Sequence, residues 1–136
     1  MICYNGNVEK NKIATKKIIE MFNTGNLSEV DSLFSSEYVD HQRPPWLGVT
    51  GPEEFKQIVI GARKSLPNLH VTIEDIIAEG EIVAARLQWQ STHPVGKKID
   101  RETLDILRFV NGQAVEHWGA EAWTSETPAG ERTKSS

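Results

Sequence analysis

The 136-residue sequence has 15 lysines and arginines against 19 acidic residues, which gives a net charge of −4. This balance argues against a general binder of nucleic-acid backbones, which needs a basic stripe. The single cysteine, Cys3, excludes an internal disulfide and a thiolate cluster for zinc or iron–sulfur. The sequence has no apolar run of transmembrane length, and residues 1–10 lack the apolar stretch of a signal peptide. We therefore expect a cytoplasmic protein of one domain.

Helical periodicity marks the first half of the chain. Residues 7–23 place four apolar side chains on one helical face, those of Ala14, Ile18, Met21 and Phe22. A second, shorter helix is predicted within residues 27–34, and residues 37–41 favour a short strand. A third helix is predicted to begin near Thr50, because Thr50-Gly51-Pro52-Glu53 has the Thr-x-x-Glu pattern of a capping box.

Alternation of apolar and polar residues marks the second half as β-structure. Strands are predicted at residues 69–78, 82–93, 99–110 and 113–123. Three helices followed by such a meander indicate an α+β fold, with the helices packed on one face of a curved antiparallel sheet. If the sheet curls into a cone, its open end is the natural place for a pocket that binds a small apolar molecule. We place the domain at residues 1–124 and expect a flexible tail at 125–136.

Asp105 is the most informative polar residue. It lies between apolar neighbours in the middle of a predicted strand, where strand propensity disfavours aspartate and burial of an unpaired charge is costly. Two interpretations stay open. Asp105 either faces solvent or pairs with an arginine, or it lines the pocket as an acid or base.

The partner of Asp105 depends on the register of the hairpin at Asn111-Gly112. A two-residue turn places Asp105 opposite Trp118, whereas a three-residue loop with a bulge places it opposite His117. We favour the second register, because it groups the apolar residues of the last two strands on one side. An Asp–His pair in the pocket would exchange protons near neutral pH, although a histidine that only satisfies the core fits the same pattern.

His41 is a further candidate at the end of the short strand. It faces either the pocket mouth or solvent, and Tyr38 or Asp40 is placed to fix its tautomer. Tryptophans belong more often to a core than to a ligand platform, but four of them make an aromatic pocket wall plausible. The aromatic candidates for substrate binding are Tyr38, Trp46 (as a lid), Trp89, Phe109 and Trp118. The spacing of histidines and acids predicts no metal site.

High-specificity motifs of nucleophilic hydrolases, nucleotide-binding loops and zinc peptidases are absent from the sequence. Six short segments nevertheless resemble, in order and spacing, the SnoaL-like polyketide cyclase family. These segments are residues 22–27, 38–41, 50–53, 66–71, 104–112 and 116–118. The resemblance runs from about Ile13 to Trp118.

The resemblance implies the nuclear transport factor 2-like cone, often as a homodimer through the sheet face. It also implies ring closure of a polyketide by intramolecular aldol condensation, with acid–base side chains and neither metal nor cofactor. The main acid–base residue of the family is an aspartate two positions after the histidine that corresponds to His117. This sequence has Gly119 there, and Asp105 stands where the cyclases carry a histidine. The acid is therefore either relocated across the hairpin or lost.

We predict a cofactor-independent lyase or isomerase of the cyclase type for an apolar carbonyl compound. Asp105 or His117 would remove a proton next to a carbonyl while the other stabilises the oxyanion, with His41 assisting. One alternative is a hydrolase that resembles the limonene epoxide hydrolases, with Arg101 beside Asp105. The other is a non-catalytic protein that binds small molecules in the same pocket. Neither nucleic acid nor a membrane is expected as a partner.

Overall fold

The computed structural model of the protein describes residues 2–122, with side chains from residue 7 onward. Three helices and five strands follow one another: α1 (Ile2–Thr24), α2 (Val30–Leu33), β1 (Phe34–Asp40), α3 (Pro52–Ser65), β2 (His70–Glu79), β3 (Ile82–Thr92), β4 (Lys98–Val110) and β5 (Gln113–Glu121). The predicted α+β class is confirmed. Trp123 and the predicted tail lie outside the described residues, so the boundary at residue 124 stays a prediction.

The first helix buries the face that its periodicity predicts, and the third helix also packs into the core. α1 begins before the predicted residue 7 and buries Ala14, Ile18, Met21 and Phe22, and α3 buries Phe55 and Val59. These side chains form one core with the sheet. Within the described part of the chain, no helix is long and apolar enough to cross a membrane.

The predicted capping box of α3 is wrong. The residue that precedes the helix is Gly51, with no side-chain cap. Gly51 has a φ of 70°, and a Cβ there would lie 2.9 Å from the carbonyl oxygen of Ser36. A glycine is required at this position because left-handed backbone and close packing against β1 occur together. Thr50 therefore lies one residue too early to cap the helix.

The sheet is mixed rather than wholly antiparallel. Its strand order is β1-β5-β4-β3-β2, in which β2 to β5 form the predicted antiparallel meander. β1 joins the edge of this meander parallel to β5, with Asp40 paired to His117. The sheet is curled and does not close on itself. The parallel pair matters for the site because it brings the end of β1 beside the middle of β5.

The β4–β5 register differs from both registers considered from the sequence. The hairpin has the two-residue turn at Asn111-Gly112, since Val110 pairs with Gln113. The register then shifts by one residue between Arg108 and Phe109, so that Leu107 lies opposite His117. Such a shift is a β-bulge, which inserts one residue into one strand. The favoured three-residue loop is therefore wrong.

Candidate active site

A cavity of about 250 Å³ lies between the helices and the concave face of the sheet. Most of its wall is apolar and comes from α1, α3 and β3, with Phe22, Phe55 and Leu87 among the lining residues. The polar residues that line it include Asp40, Gln42, Asp105 and His117. A cavity of this kind, apolar with a few convergent polar groups, suits a small apolar ligand that carries one or two polar atoms.

Asp40, His117 and Asp105 form a continuous hydrogen-bonded chain in this wall. The two ring nitrogens of His117 lie 2.8 Å from carboxylate oxygens, Nδ1 from Asp40 Oδ1 and Nε2 from Asp105 Oδ1. The side chains of all three are at most 15% exposed. Because both nitrogens are engaged, the ring has no free lone pair or N–H for a ligand.

The strand pairing explains how these side chains meet. Asp40 reaches His117 across the parallel β1–β5 pair, in which the two residues are partners. Asp105 pairs with Gly119 rather than with His117, and its side chain reaches His117 on the diagonal of the same sheet face. The predicted Asp–His contact therefore exists, but through a different register from the predicted one.

Gly119 leaves the space into which the Asp105 carboxylate extends. A Cβ at this position would lie 2.9 Å from Asp105 Oδ1 and even closer to the side-chain amide of Gln42. Real Cβ atoms do not approach neighbours this closely, so any side chain at residue 119 would displace at least one of the two groups. The glycine is thus a steric requirement of the observed arrangement.

The second oxygen of Asp105 is also held. Thr103 Oγ1 lies 2.7 Å from Asp105 Oδ2, and the indole Nε1 of Trp89 lies 2.8 Å from Thr103 Oγ1. Thr103 and Asp105 are two residues apart on β4 and so share its concave face. The carboxylate is consequently fixed at both oxygens, by His117 on one side and by Thr103 on the other.

The two carboxylates determine the charge of His117. Burial alone would lower the pKa of the ring, but the hydrogen bonds to Asp105 and Asp40 outweigh burial and raise the pKa of His117 to about 9. Burial likewise acts to raise the pKa of Asp40, but the hydrogen bond from His117 outweighs it and lowers the pKa of that carboxyl below its usual value. At neutral pH the ring is therefore an imidazolium that donates both N–H groups.

Two further residues support Asp40 from behind. Glu54, 1% exposed, accepts a hydrogen bond from the Asp40 backbone N–H at 3.0 Å and lies 2.8 Å from the Arg43 guanidinium. Burial, together with the neighbouring Asp40 carboxylate, raises the pKa of Tyr38 above its usual range, so the phenol stays neutral. The sequence analysis predicted Asp40 as a hydrogen-bond partner of His41, and it did not identify Glu54, Thr103 and Gln42 as parts of the site.

Several predicted site residues do not line the cavity. His41 stacks on Trp118 at 4.8 Å between ring centroids and bonds Glu116 at 2.9 Å, away from the cavity wall. Trp46 is 79% exposed in its loop, and Phe109 is buried in the core. These four residues therefore do not line the cavity and their roles stay predictions, whereas Tyr38 and Trp89 lie in its wall.

The residues proposed for an epoxide hydrolase do not assemble. Arg101 lies 3.5 Å from Glu121, its side chain is 54% exposed, and it is not part of the cavity wall. Within residues 2–122, no group of three or more histidine, cysteine or acidic side chains is arranged to hold a metal ion.

Comparison with known proteins agrees with this architecture. The sequence model of the SnoaL-like polyketide cyclase family matches residues 12–122. The aklanonic acid methyl ester cyclase AcmA of Streptomyces galilaeus is 25% identical over an alignment of 114 residues, which covers 76% of this chain and 78% of AcmA. A candidate polyketide cyclase from Bacillus cereus has a solved structure that superposes with a TM-score of 0.75 at 31% identity, over 82% of this chain and 74% of that one. IdmH of Streptomyces antibioticus shares the fold, with a TM-score of 0.72 at 21% identity over 82% of this chain and 91% of its own.

Proposed function

The chain belongs to the SnoaL-like polyketide cyclase family, and from that premise we propose that it catalyses cofactor-independent aldol cyclisation or isomerisation of a small apolar carbonyl compound of the polyketide type. One observation carries the proposal: a carboxylate, Asp105, faces an apolar cavity while an imidazolium holds it from behind. A buried carboxylate of this kind suits removal of a proton next to a carbonyl group.

Asp105 is the group that would contact the substrate. Both nitrogens of His117 are engaged by carboxylates, so the ring cannot reach a substrate proton without breaking one of these bonds. We therefore assign the base to Asp105 and a positioning and charge-balancing role to His117. Asp40 keeps the ring oriented and charged.

The proton balance of such a reaction closes within the site. Asp105 takes a proton from the carbon next to one carbonyl, which leaves an enolate. The enolate carbon then attacks a second carbonyl of the same molecule, so that one carbon–carbon bond forms and an alkoxide appears. The protonated Asp105 returns its proton to the alkoxide, and no metal, redox partner or water is consumed. For an isomerisation, the proton returns to another carbon instead.

The enolate oxygen needs a hydrogen-bond donor, and we assign this role to the Gln42 side chain. Gln42 lines the cavity, and its side-chain oxygen Oε1 lies against Gly119, near the carboxylate of Asp105, so the amide must turn over about its last bond to present its N–H there. Within the described chain the amide has no hydrogen-bond partner, since the Gln42 contact to Asp40 comes from the backbone N–H at 2.9 Å. A neutral amide N–H beside the base stabilises negative charge where it develops.

Deuterium exchange into 2-tetralone tests the proposed function, because this bicyclic apolar ketone carries acidic protons next to its carbonyl. We expect the protein to accelerate the exchange in D₂O, followed by ¹H NMR. Asp105→Asn should reduce the acceleration at least about 100-fold, since general base catalysis contributes roughly that much or more.

Asp75→Asn is the matched control, because Asp75 lies on β2 in an exposed pair with Arg86 and does not line the cavity. It should keep the rate of the parent protein. An Asp105→Asn variant with the parent's rate would remove Asp105 from the mechanism. Tight binding of 2-tetralone without any exchange would favour the non-catalytic binding protein.

We also propose that the protein acts as a homodimer through the outer face of its sheet, and that it does so in the cytoplasm. Ile77 on β2 and Leu104 and Ile106 on β4 are each at least 40% exposed. Arg86 pairs with Asp75 on the same face, so both signs of charge flank these apolar residues. A two-fold interface is self-complementary and suits such a mixed surface.

A further inference from the structure

We propose that Thr103 is a positioning residue for the reaction and that Trp89 fixes the direction in which the Thr103 hydroxyl donates its hydrogen bond. The Thr103 hydroxyl would hold the Asp105 carboxylate in the orientation that faces the substrate. This inference rests on the proposed function of Asp105 as the base. It goes beyond that proposal because neither residue touches the reacting atoms.

The hydrogen bonds around Thr103 have only one possible direction. The indole N–H of Trp89 is a donor with no acceptor capacity, so the Thr103 oxygen must accept from it at 2.8 Å. A hydroxyl carries a single hydrogen, and among residues 7–122 its acceptor is Asp105 Oδ2 at 2.7 Å. Since the indole cannot take this hydrogen, it is committed to the carboxylate.

The carboxylate of Asp105 is therefore held at both ends. His117 Nε2 donates to Oδ1 at 2.8 Å, and Thr103 donates to Oδ2. Two donors on opposite oxygens fix the rotation of the carboxylate about its Cβ–Cγ bond. A base whose lone pairs point in a fixed direction needs less reorganisation to reach the transition state than a freely rotating one.

Trp89 is itself held firmly, which makes it a suitable anchor. Its ring packs edge-on against Phe22, with 4.9 Å between ring centroids and an interplanar angle of 77°. It lies on β3 opposite Arg101, one diagonal step from Thr103, which pairs with Leu87. The same ring lines the cavity. A substrate that packs on Trp89 would thus touch the anchor of the base directly.

Three variants test this chain with the 2-tetralone exchange assay. Thr103→Val keeps the shape and removes the hydroxyl, so we expect kcat to fall about tenfold while KM changes less than twofold. Thr103→Ser restores the hydroxyl and should recover kcat to within about twofold of the parent. Trp89→Phe keeps an aromatic wall but frees the hydroxyl to turn, and should lower kcat about threefold. A purely structural role would not separate kcat from KM or be rescued by serine.

A spectroscopic measurement checks the same bonds without turnover. The Trp89 indole N–H loses its acceptor in Thr103→Val, so its exchange with D₂O, measured by ¹H–¹⁵N NMR, should accelerate about tenfold. It should stay slow in Thr103→Ser. Thr72→Val is the matched control, since Thr72 lies on β2, pairs with Gln88 and does not line the cavity. It should alter neither readout.

The outcomes separate the two proposals. If the parent protein is active and Thr103→Val has the same kcat, the role of Thr103 is overturned and the proposed function is not. The same holds if Thr103→Val and Thr103→Ser both change kcat and KM to the same extent, because the effect would then be structural. Absence of exchange by the parent protein itself would overturn the proposed function, and the reaction role of Thr103 with it.

Discussion

At the scale of single residues, the site depends on an imbalance of charge around His117. Two carboxylates, Asp40 and Asp105, share one imidazolium, so the three side chains together carry one negative charge at neutral pH. An excess of acid over base leaves one carboxylate able to accept a proton while the ring stays charged. Both carboxylates line the cavity and each accepts a second hydrogen bond, Asp40 from the backbone N–H of Gln42 and Asp105 from the Thr103 hydroxyl.

The charge on His117 makes stability depend on pH on the alkaline side. The pKa of the ring is about 9 in the folded chain against an ordinary value of 6.5. Its stabilising contribution is therefore complete below pH 6.5 and is lost as the pH rises through about 9. We expect the free energy of unfolding, from urea titrations at 25 °C, to fall by at most about 3 kcal/mol over this window.

Two features keep this experiment specific. Tyr38, beside Asp40, does not titrate in the window, because burial raises the pKa of its phenol. In His117→Gln an amide replaces the titrating ring, so the fall between pH 6.5 and 9 should disappear. A free energy of unfolding that stays level or rises in the parent protein over this window would contradict the raised pKa of His117.

The donor role of Gln42 can be tested by comparing the affinities of two ligands of the same shape. In 2-methylenetetralin a CH₂ group replaces the carbonyl oxygen of 2-tetralone. Gln42→Leu keeps the size of the side chain and removes its donor, so affinity for the ketone should fall about three- to tenfold, the value of one neutral hydrogen bond. Affinity for the hydrocarbon, measured by calorimetry or tryptophan fluorescence, should stay the same. An equal change for both ligands would show that Gln42 only shapes the mouth of the cavity.

At the scale of elements, the β4–β5 hairpin shows what sequence patterns can and cannot predict. The Asn111-Gly112 turn and the alternation on both strands are sufficient to predict the two strands, whereas the contact between Asp105 and His117 is predicted only through the three-residue loop, which the structure does not have. The register was wrong because a bulge after the turn shifts it by one residue. A bulge depends on packing across the sheet, and nothing in the local composition of these strands marks it.

The position of β1 illustrates a second limit. The sequence predicted a short strand close to residues 37–41, but not its parallel pairing with the last strand of the sheet. Such a pairing joins residues far apart in the chain, so local propensity carries no information about it. The contact of Asp40 with His117 could not be predicted for this reason. The contact of Gln42 with Gly119 depends on the same pairing.

Two misplaced residues, in contrast, could have been excluded from the sequence. Neighbouring residues in a strand point to opposite faces of the sheet. His117 and Trp118 therefore cannot both face the cavity, and the same holds for Asp40 and its neighbour His41. The structure places the first member of each pair at the cavity and the second elsewhere, where His41 and Trp118 stack on each other. Strict use of alternation would have removed both residues from the predicted site.

At the scale of the whole molecule, the two faces of the sheet carry different groups of side chains. The concave face carries the cavity and the chain of carboxylates around His117. The outer face carries three exposed apolar side chains, Ile77 on β2 and Leu104 and Ile106 on β4. Ala84 pairs with both Ile77 and Ile106, so these residues form a continuous apolar row across β2, β3 and β4. A continuous row of this kind is more typical of an interface than scattered exposed side chains are.

A substitution in this row tests the proposed homodimer. Ile106→Arg places a charge in the middle of the row, and burial of an unpaired charge in an interface costs several kcal/mol. We expect sedimentation velocity at micromolar concentration to show a dimer for the parent protein and a monomer for Ile106→Arg. Val95→Arg is the control, because Val95 is 87% exposed in the β3–β4 turn, outside the row, and should leave the dimer intact.

A parent protein that sediments as a monomer, or an Ile106→Arg variant that remains a dimer, would show that this face is not the interface. Because the Ile106 side chain points away from the cavity, the monomeric variant should still exchange 2-tetralone, so assembly and chemistry can be measured separately.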